Sequence, residues 1–124
     1  MKDYTELNVW IKTRELATLC YELTKKFSKE ELFGLSSQIR RSAVSIPSNI
    51  AEGCGRSTSK TTNQFLFIAR GSLYELETQC LISNDLNYID QETLNTIIDK
   101  ISECKKLLNG IINYYNNKEE KTRG

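Results

Sequence analysis

The stretch from Ile39 to Arg56, IRRSAVSIPSNIAEGCGR, decides the fold. It holds Pro47, the only proline of the chain, inside an apolar stripe that advances in helical steps of three and four. The stripe consists of Leu32, Leu35, Ile39, Ala43, Ile46 and Ile50. Because its register does not change at Pro47, the pattern predicts a helix that continues through the proline. We expect a kink there, since proline removes one backbone hydrogen bond and crowds a carbonyl, and we expect Gly53 and Gly55 to end the helix.

Three interpretations of Pro47 follow from this pattern. In the first, the helix bends to follow the bundle to which it belongs. In the second, the bend shapes a surface that meets something beyond the monomer. In the third, the helix breaks, and Asn49 and Glu52 form a pair like a capping box that starts a short new helix.

Helical periodicity also dominates the rest of the chain. The stripe of the first helix is Leu7, Trp10, Ala17, Tyr21 and Phe27, widened by Cys20 and Leu23. The third stripe is Phe65, Ala69, Ser72, Leu76 and Cys80, and the fourth is Leu94, Ile97, Ile101, Cys104, Leu108, Ile111 and Tyr115. Ser59 or Thr61 is the expected cap of the third helix, and Asp90 that of the fourth. The pattern predicts an all-α, up-down-up-down four-helix bundle as one domain over residues 1–124, with a polar tail that frays from about residue 116.

The composition excludes several classes of function. A net charge of +1 argues against a surface that binds nucleic acid everywhere. No apolar run approaches the ~18 residues that span a bilayer, and the start, MKDYTELNVW, lacks the apolar segment of a signal peptide, so no membrane partner is expected. Four cysteines without a CxxC spacing are typical of free thiols in the cytoplasm.

The sequence lacks the residues that most catalytic sites need. It has no histidine, which excludes Ser-His and Cys-His pairs and most catalytic zinc sites. The segment GCGR follows a helix and lacks the GK[ST] ending of a phosphate loop. We therefore expect no enzyme, cofactor, metal or small-molecule substrate. Two alternatives stay open: a metal site that joins Glu52 to Glu75 or Glu77, and one made by the four cysteines inside the bundle.

Charge is distributed unevenly along the chain. Residues 40–74 carry a net charge of +4 and residues 75–103 a net charge of −6. The cations of the first segment are Arg40, Arg41, Arg56, Lys60 and Arg70. They could form a solvated flank paired with carboxylates, a set of phosphate contacts to nucleic acid, or Arg–carboxylate pairs between subunits. Gly71 and Ser72 interrupt the third helix, where a glycine costs ~1 kcal/mol relative to alanine, so we expect helix two or a neighbouring subunit to come close at IARGSLYELE (68–77).

Three segments carry a family resemblance. LNVWIKTRELATLCYELTKKF (7–27), GLSSQIRRSAVSIPSNIAEGCGR (34–56) and FLFIARGSLYELETQ (65–79) together resemble the four-helix bundle family of 23S rRNA intervening-sequence proteins. That family is related to the accessory variability proteins of diversity-generating retroelements. The likeness runs from about Leu7 to Tyr115. The motif positions on helices two and three are Gln38, Arg40, Arg41, Ser45, Pro47, Asn49, Glu52, Gly53, Gly71, Ser72, Glu75 and Glu77.

The resemblance implies a left-handed antiparallel bundle that assembles as a homopentamer around a central channel, with no established catalytic residues. It also implies a link to RNA, to the ribosome or to a nucleic-acid-processing protein such as a reverse transcriptase. Two hypotheses follow. In one, the oligomer binds RNA or a ribonucleoprotein partner through the basic residues. In the other, it is a self-assembling adaptor without direct contact to nucleic acid.

Overall fold

The structure is a computed structural model that describes residues 3–123. Its four α-helices are α1 (Asn8–Thr24), α2 (Leu35–Cys54), α3 (Ser59–Asp85) and α4 (Gln91–Arg123), and two short 3-10 helices cover Tyr4–Glu6 and Lys29–Glu31. No strand occurs within residues 3–123, so the all-α class with four helices is confirmed. Helix α4 continues beyond residue 116, and the fraying of that segment and the single-domain assignment stay predictions.

The helices pack in cyclic order around one apolar core. Each contacts its neighbours in sequence, and α1 also contacts α4. Within the described part of the chain, no Cα atoms of α1 and α3, or of α2 and α4, come within 8 Å of each other. The largest fully buried apolar side chains are Leu16, Ile39, Ile46, Ile50, Leu66, Leu73, Leu76, Ile97, Ile101 and Leu108. This arrangement is that of a four-helix bundle.

Helix α2 contains Pro47 in its interior and ends at Cys54. The Asn49 amide donates hydrogen bonds to the carbonyl of Ser45 (2.8 Å) and to the Ser45 hydroxyl (3.0 Å), one turn earlier in the same helix. Glu52 pairs with Arg56 and does not cap a new helix. The interpretation of Pro47 as a true break is therefore wrong, because the helix runs through it.

The start of α2 differs from the predicted stripe. Leu32 lies before the helix and is 51% exposed, so it does not belong to the core. The Glu31 carboxylate takes the place of a cap: it accepts a hydrogen bond from the backbone N–H of Leu35 (2.9 Å) and another from the Tyr88 hydroxyl (2.8 Å). These two bonds hold the pKa of Glu31 below its usual range.

The buried face of α1 also differs from the predicted one. Its buried residues are Val9, Thr13, Leu16, Ala17, Cys20 and Thr24, whereas Tyr21 is exposed. Thr13 and Thr24 can be buried because each hydroxyl donates to the carbonyl one turn earlier, at 2.8 Å. The predicted stripe was wrong at Tyr21, and it did not include Val9, Thr13, Leu16 or Thr24.

Side-chain caps fix the starts of the last two helices. Thr58, and not Ser59 or Thr61, caps α3, since its hydroxyl accepts from the Thr61 N–H at 3.2 Å. The prediction for α4 is confirmed, because the Asp90 carboxylate accepts from the Thr93 N–H at 2.8 Å.

Candidate functional site

Gly53 lies where α2 packs tightly against α3. It is buried, and a Cβ atom there would lie 3.0 Å from the Cβ of Phe65 and 3.0 Å from the carbonyl oxygen of Thr62. The Thr62 hydroxyl donates to the Gly53 carbonyl at 2.9 Å. The sequence predicts Gly53 as part of a helix end, but the structure gives it a packing role, and Gly55 occupies the C-cap.

Ser45 links the same two helices beside the buried Pro47. Its hydroxyl oxygen accepts from the Asn49 amide and from the Ser72 hydroxyl, both at 3.0 Å. Ser45, Asn49 and Ser72, three motif positions from two separate segments, thus meet in one hydrogen-bonded group. Their contacts hold α2 and α3 together within the chain.

Gly71 has no packing role within the chain. It is exposed, and a Cβ atom built on it would have no neighbour within 4 Å among the described residues. Helix two does come near this segment through the next residue, because the Ser72 hydroxyl donates to the Ser45 hydroxyl at 3.0 Å. At Gly71 itself helix two leaves open space, and a neighbouring subunit there stays a prediction.

Two of the predicted basic residues are engaged within the bundle. The Arg40 Nε donates to the Thr24 hydroxyl at 2.8 Å, and its guanidinium lies 4.8 Å from the centre of the Tyr21 ring. The Arg70 Nη1 donates to the Asn109 side-chain oxygen at 3.1 Å. Both arginines are half-buried, so neither side chain is fully accessible to a partner.

The other three predicted cations are exposed. Arg56 pairs with Glu52 one turn earlier and lies over the Phe65 ring at 4.7 Å. Arg41 and Lys60 make no hydrogen bond or ion pair with any residue that the structure describes. Lys60 lies two residues before Thr62, which donates a hydrogen bond to Gly53. Gly53 lies about three turns beyond Arg41 on α2, so the rise of about 1.5 Å per residue places Lys60 on the order of 20 Å from Arg41. The five cations therefore do not form one compact basic cluster.

The acidic motif residues are equally dispersed. Both Glu77 oxygens accept from the Lys105 ammonium, at 2.7 and 2.8 Å, and this pair is more than two-thirds buried. Glu75 is exposed and has no such partner among the described residues, and Gln38 is also exposed. Over residues 3–123, no three Cys, Asp or Glu side chains are grouped so that they could hold a metal ion. Neither metal-site alternative gains support from the structure.

The four cysteines are free and buried, which disfavours thiol chemistry. Burial raises the pKa of Cys80 to about 12 and that of Cys104 to about 11, and it also raises the pKa of Cys20 and Cys54. Because the thiolate is the reactive form, these groups are poor nucleophiles near neutral pH.

The sequence interpretation missed an apolar surface on α3. Phe67, Ile68 and Tyr74 are 44%, 52% and 46% exposed. Together with Gly71 and Glu75, they form what we call the α3 outer face. The signal was a second series at helical spacing, residues 67, 71 and 74, beside the core stripe. Contiguous exposed apolar groups of this kind are typical of interaction sites.

A groove opens between α1 and α2. This α1–α2 groove has a volume of about 490 Å³ and is lined by Tyr21, Leu32, Ser37, Arg40, Arg41, Val44 and Ser45. Its apolar members, Tyr21, Leu32 and Val44, are each at least two-fifths exposed. The groove therefore combines apolar contact area with the free charge of Arg41.

Over the described residues, no helix is both long enough and apolar enough to cross a membrane.

Comparison with known proteins supplies a family and a related fold. The family model described as 23S rRNA-intervening sequence protein matches residues 5–110. A crystal structure of a protein with unknown function from the S23 ribosomal protein family of Bacteroides thetaiotaomicron VPI-5482 is 29% identical, with a TM-score of 0.75. The match covers 84% of this chain and 97% of that one. A search of curated protein sequences finds no match. Neither description indicates an enzyme.

Proposed function

The chain belongs to the 23S rRNA-intervening sequence protein family, and we propose that it is a non-enzymatic, self-assembling four-helix bundle that acts as a structural or adaptor module. The α3 outer face carries this proposal. Phe67, Ile68 and Tyr74 surround a glycine that the monomer leaves uncovered. A second copy that covers this face would remove the apolar groups from water, at roughly 25 cal/mol per Å² of apolar surface.

The mass of the protein in solution tests this proposal. We expect light scattering coupled to size-exclusion chromatography to give a multiple of the 14.3 kDa chain mass. The family resemblance favours a homopentamer. A monomer over the whole range of accessible protein concentrations would refute self-assembly.

We further propose the finer features of the bundle. Two hydrogen bonds support an antiparallel up-down-up-down path. They join Ser45 of α2 to Ser72 of α3, and Gly53 of α2 to Thr62 of α3, so residue numbers increase along α2 in the direction in which they decrease along α3. The left-handed twist and the kink at Pro47 rest on the family resemblance and on the chemistry of proline. A cytoplasmic location is supported by the four free thiols.

Binding to RNA is the second candidate function. The exposed and unpaired Arg41 and Lys60 favour it, and so does the name of the family. Three of the five predicted phosphate contacts are already engaged with groups of the same chain, so we expect weak binding unless several copies combine their free cations. Under the same hypothesis, the oligomer could also reach RNA through a nucleic-acid-processing protein that binds both.

A mobility-shift assay on structured RNA across a salt series tests this candidate. If RNA binds, the double variant Arg41→Ala/Lys60→Ala should weaken binding and lower the salt slope by about 2 for each copy in contact with RNA. Absence of binding at ~50 mM salt, where phosphate contacts are strongest, would refute it.

A further inference from the structure

We propose that the end of the bundle where α1 begins holds a binding site for a small carboxylate with an apolar body, such as a medium-chain fatty acid. The site is a cavity of about 570 Å³ between the start of α1, the end of α2 and the second half of α4, which we call the terminal cavity. This inference goes beyond the proposed self-assembly and does not depend on it.

The terminal cavity follows from the unequal lengths of the helices. The start of α1 faces late residues of α4, so the two helices run in opposite directions, and Lys12 of α1 pairs with Glu103 of α4 at 3.8 Å. From that pair α4 runs on for about five turns to Arg123, whereas only about one turn of α1 lies beyond it, back to Asn8. Because α2 also ends early, at Cys54, the space beside the second half of α4 is left open.

The wall of the terminal cavity is largely apolar. Val9 and Cys54 are buried there, and Leu107 and Ile111 are half-buried. Leu107 and Ile111 lie one turn apart on α4, so they form one continuous strip. Small-molecule sites typically have volumes of about 300–1,000 Å³ and mainly apolar linings with a few polar groups, and the terminal cavity fits that description. A ligand with an apolar body would remove these side chains from water.

Positive charge at the terminal cavity favours an anionic head group. Lys118 lines it, and its ammonium lies 6.0 Å from the centre of the Tyr115 ring, which lines it too. Asn8 and Val9 line it as the first residues of α1, whose first turn has no acidic residue and no cap from a described side chain. The first N–H groups of a helix lack acceptors within it, and the helix dipole favours negative charge there. No Asp or Glu belongs to the described residues that line the cavity.

The same lining limits the class of ligand and what happens to it. One ammonium matches a head group with a single negative charge, whereas a phosphate monoester carries about two at neutral pH. The Cys54 thiol is a poor nucleophile, because burial raises its pKa. We therefore infer that the terminal cavity binds a carboxylate without converting it.

Titration of the isotope-labelled protein with sodium decanoate, followed by amide NMR spectra, tests this site. We expect saturable shifts confined to residues 7–9, residue 54 and its neighbours, and residues 107–118. Decyltrimethylammonium bromide, which joins the same apolar chain to a cationic head, should bind at least about tenfold more weakly. Absence of saturable shifts at ~1 mM decanoate, or equal binding of the two amphiphiles, would overturn the proposal.

A charge reversal tests the anionic head group. Lys118→Glu should weaken decanoate binding at least about tenfold. Lys106→Glu is the matched control, because Lys106 is exposed on α4 outside the terminal cavity, and it should bind decanoate as the wild type does. Equal weakening by the two variants would overturn the role of Lys118. Both residues are exposed, so neither variant should disturb folding.

A larger side chain tests the apolar part of the site. Ile111→Trp should fill the terminal cavity and abolish decanoate binding. Ile98→Trp is the matched control, because Ile98 is also half-buried on α4 but lies outside the cavity, and it should keep the binding. Retained binding in Ile111→Trp, or equal loss in both variants, would overturn the assignment of the ligand to this cavity.

The mass of the same variants separates a ligand site from a contact between copies. We expect Lys118→Glu and Ile111→Trp to keep the wild-type mass in light scattering. A loss of mass would show that a second copy covers the terminal cavity, which would overturn the ligand site. A monomeric wild type that binds decanoate would support the ligand site while it refutes self-assembly.

Discussion

The same substitution at two glycines separates helix propensity from packing. We predict that Gly53→Ala destabilises the protein while Gly110→Ala stabilises it. Gly110 lies in the interior of α4, where alanine gains about 1 kcal/mol over glycine, whereas Gly53 is the second-last residue of α2, where that gain is an upper limit. The environments differ, because a Cβ at Gly53 would lie 3.0 Å from both the Cβ of Phe65 and the carbonyl of Thr62, and a Cβ at Gly110 would have no neighbour within 4 Å.

The magnitude follows from these contacts. A contact at 3.0 Å with backbone and with a Cβ requires α2 and α3 to separate, and overpacking of this kind typically costs ~1–3 kcal/mol. After a gain from helix propensity of at most about 1 kcal/mol, Gly53→Ala should lower the free energy of unfolding by about 0–3 kcal/mol. Gly110→Ala should raise it by about 0.5–1 kcal/mol. The difference between the two variants should therefore be at least the overpacking cost of ~1–3 kcal/mol.

Urea unfolding followed by far-UV circular dichroism measures both values. The protein concentration must be equal in all samples, because self-assembly contributes to the measured stability. In a thermal scan, about 1 kcal/mol corresponds to roughly 3–6 °C for a chain of this length. If Gly53→Ala gains as much stability as Gly110→Ala, then α2 and α3 do not approach each other at Gly53 and the reasoning is refuted.

Three further predictions concern other contacts. Thr24→Val should cost about 1–2 kcal/mol, because it leaves the half-buried Arg40 without its acceptor, whereas Thr13→Val should be nearly neutral in urea unfolding. Glu31→Gln should destabilise the protein at neutral pH but not in acid: the folded pKa of Glu31 lies below its ordinary value of about 4.3, so its contribution is present above that pH and is lost as pH falls through the folded pKa. The four buried thiols should react slowly with a thiol reagent at pH 8, which lies well below the pKa of about 12 that burial gives Cys80, and should react fully after unfolding.

Each of these predictions can fail in a defined way. Equal losses for the two threonine variants would mean that Arg40 gains nothing from Thr24. A constant difference between wild type and Glu31→Gln down to strongly acid pH would mean that the carboxylate does not cap α2. Rapid modification of the native protein would show that the thiols are not held in the core.

The number and type of helices could be predicted from the sequence because the apolar stripes of α2, α3 and α4 advance in unbroken helical steps. The continuation of α2 through Pro47 followed from the same register, since Ile46 and Ile50 could both reach the core only if the helix did not break. Asp90 was recognised as a cap because a carboxylate before a periodic segment accepts a backbone N–H. These features depend on residues close together in sequence.

The buried face of α1 and the start of α2 could not be predicted in the same way. Thr13 and Thr24 are polar by residue type, and only the bond from each hydroxyl to a carbonyl one turn earlier allows their burial. Leu32 has the spacing of the α2 stripe, but the chain turns between Leu32 and the first residue of α2, Leu35. The Glu31 side chain, which also lies before the helix, caps it. Burial at these positions depends on how the neighbouring chain folds back.

The candidate site also has features that the sequence predicts and features that depend on tertiary packing. The sequence by itself determined a four-helix protein with a polar motif around Pro47 and without the histidine that most catalytic sites require. Only the tertiary structure decided that Arg40 and Arg70 are engaged, that Arg41 and Glu75 are free, and that Gly53 and Gly71 serve different purposes. The physical reason is that local spacing fixes which side of a helix a residue occupies, whereas the packing of the other helices determines whether that side is covered.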